Sequence, residues 1–323
     1  MIMMITAFLM ALILCLLFGI PYIDFLRKKT IGQYILDLAP ENHKKKAGTP
    51  TTGGVFIIIS ILIASVTTLF MAEKVTTTAW IVLITFLFYA LAGFQDDVLK
   101  IRGHENKGLS ARGKFLRQVL IAVLPVFYLM VSNDHATYIS FGKWSFDFGW
   151  FYPIIAIFAI TGASNAYNLT DGLDGLAAST GVFAFLATAL IAQMSGCEEL
   201  AIISAAVTGA LLGFLRYNKP KAQVFMGDTG SLAMGGLLGV LAVMGKFEIY
   251  LIILAGIFVI ETLSVIMQVT SFKTTGKRIF KMAPIHHHFE LCGFNEKQIV
   301  TGFAIFSMIC GAVAVGLFKV FGA

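Results

Sequence analysis

Runs of about 20 nearly uncharged, apolar residues recur along the whole of this sequence, and that is the length an α-helix needs to cross a bilayer core about 30 Å thick. Ten can be placed, at residues 2–24, 52–72, 76–94, 115–132, 149–167, 176–196, 200–215, 230–245, 249–270 and 299–318. Lipid offers a backbone no hydrogen-bond partner, so each run has to satisfy its own N–H and C=O groups as a helix. The expectation is an all-α integral membrane protein, a single domain over residues 1–323 with ten transmembrane helices. Composition agrees, since 13% charged and 58% hydrophobic residues exclude a soluble domain, where charge is nearer a quarter. No basic segment precedes the first run and no small-residue cleavage site follows it, so it reads as a retained helix.

Basic residues are retained on the cytoplasmic side of a membrane. With ten spans, the loops at 25–51, 95–114, 216–229 and 271–298, with Arg117 just inside the next helix, hold all of the 24 Lys and Arg except Lys74, Lys143, Lys246 and Lys319. Those loops are therefore expected in the cytoplasm, with both termini extracytoplasmic. The net charge of +6 is mostly this orientation signal, with affinity for anionic lipid or a phosphorylated substrate. It carries no expectation of nucleic-acid binding, which would want a soluble basic domain. Cys15, Cys197, Cys292 and Cys310 have no metal-ligand spacing and are assigned no chemistry. The oligomeric state is left open, a homodimer included.

An aspartate at mid-bilayer costs on the order of 3 kcal/mol, so ionisable residues beside apolar runs mark function. Three clusters stand out, all at cytoplasmic ends. Asp96 and Asp97 close the third run; adjacent carboxylates either hold a proton more readily or share a cation. Residues 165–175 hold Asn168, Asp171 and Asp174, spaced three apart as on one helix face, with Gly172 and Gly175. Residues 225–231, Phe-Met-Gly-Asp-Thr-Gly-Ser, open the eighth run and bring Phe225, Asp228 and Ser231. Free backbone N–H groups at such a helix start would suit a metal–phosphate group, and an ordinary N-cap by Asp228 or Thr229 is the plain alternative. Tyr217 and Asn218 lie just upstream.

Two loops look like substrate contacts. Residues 44–54 join three lysines, ending at Lys46, to Thr-Pro-Thr-Thr-Gly-Gly with Thr51. Residues 284–290 hold His286, His287 and His288, which cannot share one helix face; hydrogen bonds to a polar substrate fit better than a tridentate zinc site. Glu261 and Gln268, seven apart in the ninth run, either face the same cleft or pair within the bundle. Aspartates at a water–lipid boundary, with no redox cysteines and no Walker loop, point to phosphoryl chemistry with magnesium, which is held by one or two carboxylates plus substrate phosphates. A site at the membrane face suggests one soluble substrate and one lipid.

Taken in order, residues 49–54, 93–97 (Gly-Phe-Gln-Asp-Asp), 168–175 (Asn-Leu-Thr-Asp-Gly-Leu-Asp-Gly), 225–231 and 284–290 (Pro-Ile-His-His-His-Phe-Glu) closely resemble the phospho-N-acetylmuramoyl-pentapeptide transferases, a branch of the polyprenyl-phosphate N-acetylhexosamine-1-phosphate transferase superfamily. The acidic motifs mark the superfamily and the histidine segment marks the muramoyl branch. Thr52 stands where the family usually has Met, and residues 291–295 replace its usual Lys-Gly-Trp continuation. The resemblance implies a bacterial cytoplasmic-membrane enzyme using Mg2+, with UDP-N-acetylmuramoyl-pentapeptide as donor and undecaprenyl phosphate as acceptor. It implies Asp228 as the metal ligand, Asp96 and Asp97 as the pair that deprotonates or positions the lipid phosphate, and Lys46 and Thr51 as phosphate-side contacts. Asn168, Asp171, Asp174, Asn218, Phe225, Ser231, His286, His287 and His288 are the remaining implied substrate contacts.

Two other readings are weighed. A sibling transferase using UDP-N-acetylglucosamine would share the acids and topology. A proton-coupled transporter would need acids on both sides of a mid-membrane path, whereas Glu73, Asp134, Asp147, Glu198, Glu199 and Glu248 are scattered loop charges.

Overall fold

The computed structural model describes residues 1–29, 48–103, 108–133 and 135–322. Its helices are α1 (Ile2–Lys28), α2 (Gly54–Met71), α3 (Thr77–Gly103), α4 (Ala111–Ser132), α5 (Tyr152–Thr170), α6 (Leu176–Met194), α7 (Glu198–Asn218), α8 (Gly227–Met244), α9 (Glu248–Leu254), α10 (Gly256–Thr275), α11 (Ile285–Leu291) and α12 (Glu296–Phe321). Among the described residues nine of these, α1 to α4, α6 to α8, α10 and α12, are long and apolar enough to cross a membrane. The fifth expected run does form a helix, the 19-residue α5, but Asn165, Tyr167 and Asn168 make its second half polar. The ninth expected run is broken at Ala255 into α9 and α10.

One feature departs from an all-helical chain. Between α4 and α5, β1 (Tyr138–Phe141) pairs antiparallel with β2 (Trp144–Asp147). Trp144 and Phe146 alternate with Ser145 and Asp147, the period-2 pattern of a strand, and Gly142 turns the chain with φ +59°.

The bundle is built around α8. Its span is 89% buried although its hydropathy is among the lowest of the nine, while α1, α4, α10 and α12 are 28% buried and carry the exposed Leu, Ile and Phe side chains of a lipid-facing perimeter. Small residues let neighbouring backbones close on α8, the usual means of packing helices where lipid is as apolar as leucine. At Gly54 of α2 a Cβ would fall 2.2 Å from the Gly230 nitrogen, and at Gly93 of α3 it would fall 2.1 Å from the Asp228 carbonyl oxygen. Neither position has room for a side chain, and both lie at the end of α8 where the polar residues gather.

That end is reached by the C-terminal ends of α1, α3, α5 and α7 and by the starts of α2, α4, α6, α8 and α12, through Tyr22–Thr52, Lys114–Asp228, Gly175–Asn218 and Asp174–Glu296 contacts. The opposite end carries the Lys74–Glu198 pair, and there Gly142 abuts Phe321 near the end of α12.

Candidate active site

Two short backbone segments bind α2 to the start of α8. Gly53 N–H donates to the Phe225 carbonyl, Gly54 N–H to the Met226 carbonyl and Phe225 N–H to the Pro50 carbonyl, each at 2.8 Å. Thr52, inside this loop, takes a left-handed φ of +69° and its hydroxyl lies 3.2 Å from that of Tyr22. Thr51 is buried, and its hydroxyl oxygen lies where a Cβ on Gly227 would come within 3.1 Å. Lys46 lies outside the described residues.

The N–H groups expected to be free at the start of α8 are taken by a residue 131 positions away. Asp97 Oδ1 accepts from the Asp228 N–H at 3.0 Å, and Oδ2 accepts from the Thr229 N–H at 2.9 Å and the Thr229 hydroxyl at 2.5 Å. An N-terminus needs acceptors and favours negative charge, and here α3 supplies both across the interface. Neither Asp228 nor Thr229 acts as the N-cap: that position is Met226, which makes no side-chain cap.

Asp228 therefore presents its carboxylate outward from a fixed backbone. Oδ2 accepts from Lys114 Nζ at 2.5 Å and Lys100 Nζ at 2.9 Å, and Oδ1 accepts from Asn168 Nδ2 at 2.8 Å. Asn168 Nδ2 also donates to Ser231 Oγ at 2.7 Å, tying α5 to α8. Asp96 Oδ2 lies 2.7 Å from the same Lys100 Nζ, and Oδ1 accepts from the Leu109 N–H at 2.7 Å. Two carboxylates and two ammonium groups thus meet at one partly buried point, at the junction of α3, α4, α5 and α8.

The turn after α5 forms the adjoining wall. The helix stops at Thr170, so the three-residue spacing of Asn168, Asp171 and Asp174 is not one helix face; the last two lie in the turn. Asp174 N–H donates to Glu296 Oε1 at 2.7 Å and Asp174 Oδ2 accepts from Ala222 N–H at 3.0 Å. Asn218 accepts from Gly175 N–H at 3.0 Å and donates to the Val224 carbonyl at 2.9 Å, so both ends of its amide hold backbone. Phe225 is half-buried beside them. Burial pushes the Asp171 carboxyl up to about 8, with the charges of Asp228, Asp97 and Asp174 adding to the shift.

The three histidines of α11 diverge. His286 is buried, with Nδ1 3.0 Å from Glu261 Oε1 of α10. His287 Nδ1 lies 2.7 Å from Glu290 Oε2, and its ring packs 4.1 Å from that of His286. His288 Nδ1 accepts from the Lys281 N–H at 3.1 Å and its ring sits edge-on to Phe280. Each has its own partner.

Residues 79–246 match the family described as glycosyl transferase family 4. Over 325 aligned residues, 97% of each chain, the sequence is 46% identical to the phospho-N-acetylmuramoyl-pentapeptide-transferase of Oceanobacillus iheyensis. The chain belongs to the phospho-N-acetylmuramoyl-pentapeptide-transferase family. It is also 48% identical to the member from Halalkalibacterium halodurans, covering 92% of this chain and 91% of that one, and 48% identical to the Bacillus subtilis member, covering 91% of each.

Phosphoglycosyl transferases of this kind generally use a divalent metal. Asp228 and Asp96 are two hard carboxylates that converge on one lysine ammonium. Among the described residues no group of three or more His, Cys, Asp or Glu could hold a metal. One or two carboxylates fit magnesium, which keeps several waters and takes its other oxygens from substrate phosphates; they would not fit zinc.

The sequence alone does not single out Lys100 and Lys114 as members of this cluster, and it leaves open whether Glu261 faces the cleft or pairs within the bundle. The two lysines looked like orientation charges, and only their contact with Asp228 distinguishes them from Arg102 or Arg112. Glu261 carried a usable signal, a carboxylate inside an apolar run, but its partner on α11 is 25 residues away.

Proposed function

We propose that this chain transfers phospho-N-acetylmuramoyl-pentapeptide from UDP-N-acetylmuramoyl-pentapeptide to undecaprenyl phosphate, giving lipid I and UMP, at the cytoplasmic face of the bacterial cytoplasmic membrane. The observation that carries the chemistry is the carboxylate of Asp228, fixed at the start of α8 and faced by Lys100 and Lys114. The names of the relatives carry the choice of the muramoyl donor over UDP-N-acetylglucosamine. α5 serves as the tenth span, its polar half lining the site, and the basic loops put the site inside and both termini outside the cytoplasm.

In the proposed reaction an oxygen of the lipid phosphate attacks the sugar-bearing phosphorus in line, and the bond from that phosphorus to the bridging oxygen breaks with UMP leaving. Asp228, with Asp96 beside it, would hold magnesium, which would supply charge neutralisation for the diphosphate and the leaving phosphate. Lys100 and Lys114 turn their ammonium groups to phosphate oxygens, and Lys46, outside the described residues, is proposed as a further phosphate contact. Asn168 holds the Asp228 carboxylate in place through Oδ1, and Ser231 holds Asn168. Both oxygens of Asp97 are engaged by α8, so it acts as the post that fixes Asp228, and Asp96 is the nearer candidate for any residual proton on the lipid phosphate. Asp171, Asp174, Phe225 and the histidine segment form the donor side.

The test is UMP release by purified protein given undecaprenyl phosphate and either donor. Release with the muramoyl donor and not with UDP-N-acetylglucosamine supports the proposal; the reverse overturns the substrate assignment.

A further inference from the structure

Glu261 sits in the second turn of α10 with no exposed surface, in a span where a lone carboxylate is costly. Its Oε1 lies 3.0 Å from Nδ1 of His286, itself 1% exposed. A carboxylate only accepts, so Nδ1 carries the hydrogen and Nε2 is the ring's remaining free nitrogen. Nε2 is buried and, among the described residues, has no hydrogen-bond partner. It points at Gly172: a Cβ at that position would fall 2.2 Å from it. The imidazole edge thus occupies the space that a side chain at 172 would need, and Gly172 adjoins Asp171.

A second contact of α10 acts on the same segment. Gln268 Oε1 accepts from the N–H groups of Ile279 and Phe280 at 3.0 and 2.9 Å, and Nε2 donates to the Phe280 carbonyl at 2.9 Å. Gln268 lies two turns beyond Glu261, on the same helix face. The two residues hold the histidine segment at two points, one on the approach to α11 and one on its first turn, and only the Glu261 contact continues through to the turn at 171–175.

We infer that Glu261 is a positioning residue for donor binding: its carboxylate fixes the ring of His286, whose far edge braces Gly172 and thereby sets where the Asp171–Gly175 turn presents itself to the nucleotide-bearing substrate. This rests on the reading that the 168–175 segment contacts the donor. Merely structural roles predict something different. Removing one partner of a buried hydrogen-bonded pair destabilises the fold, so Glu261→Leu would then lower the unfolding temperature and leave donor KM unchanged.

The experiment measures UMP release against donor concentration for wild type, Glu261→Leu, Glu261→Gln and Gly172→Ala, with thermal unfolding in the same detergent. Glu261→Leu is expected to unfold at a lower temperature than wild type while remaining folded in the assay, to raise donor KM on the order of tenfold, and to change kcat far less, the signature of lost substrate positioning. Glu261→Gln keeps an oxygen that accepts from Nδ1–H and should restore most of the KM. Gly172→Ala pushes on the same contact from the other side, should raise KM alike, and combined with Glu261→Leu should be less than additive. A folded Glu261→Leu with the wild-type KM overturns the inference, as does a wild-type KM for Gly172→Ala or full additivity of the pair. Absence of UMP release by the wild type would instead sink the proposed function itself.

Discussion

Asp97 Oδ2 accepts two hydrogen bonds from Thr229, one from the backbone N–H at 2.9 Å and one from the hydroxyl at 2.5 Å. With Oδ1 on the Asp228 N–H, the carboxylate of α3 closes the N-terminus of α8. Asp97→Asn would keep one accepting oxygen and turn an NH2 group toward donors. Hydrogen bonds to a charged group contribute about 1.5–3 kcal/mol, so this variant should lose about 2 kcal/mol of stability and bind Mg2+ more weakly, with Thr229→Ala milder. Denaturation and Mn2+ binding read both. A residue acting only as a base would change neither.

Lys114 donates to Asp228 at 2.5 Å and Lys100 at 2.9 Å, two cations on one carboxylate oxygen. Each is expected to pass to substrate phosphate during the reaction. Lys114→Gln and Lys100→Gln should each lower kcat/KM by about tenfold to a hundredfold, since a charged hydrogen bond is worth about 1.5–3 kcal/mol. Steady-state kinetics at saturating Mg2+ checks this, with Arg102→Gln as a control that should change little.

At Gly93 of α3 a Cβ would lie 2.1 Å from the Asp228 carbonyl oxygen at the start of α8. Gly93→Ala forces the helices apart at the metal ligand. Overpacking of this kind costs about 1–3 kcal/mol, and a lowered unfolding temperature together with weaker Mn2+ binding is expected. Gly162→Ala, in open space on α5, should alter neither.

Asp171 holds its proton up to about pH 8, against an ordinary carboxylate near 4. The folded state binds this proton more tightly than the unfolded chain, so its contribution to stability is full below pH 4, declines as pH rises, and is gone above 8. Asp171→Asn should flatten that decline and make the protein relatively more stable at pH 9. Unfolding midpoints from pH 5 to 9 test it, and unchanged slopes would contradict the assignment.

How much of this was legible depends on what each residue competes with. Most spans, α5 among them, were readable because bilayer thickness fixes their length, while Trp144 and Phe146 hid a strand pattern among apolar runs. Asp96, Asp97 and Asp228 stood out because hydrocarbon makes a carboxylate costly. Their division of labour did not, since the Asp97 cap joins residues 131 and 132 apart. Lys100 and Lys114 merged with the positive-inside charges, which any cytoplasmic loop carries. The histidine run announced a polar contact, but which nitrogen faces Glu261 is decided by how α10 meets α11.

The central claim is that Asp228, held by Asp97 and faced by two lysines, is the metal–phosphate centre of the transfer. Its most direct test is UMP release by purified protein with undecaprenyl phosphate and the UDP-muramoyl-pentapeptide, with and without Mg2+, beside Asp228→Ala. The account predicts release that requires lipid and Mg2+ and is abolished in a variant that still folds; Mg2+-dependent release by folded Asp228→Ala at the wild-type rate would contradict it.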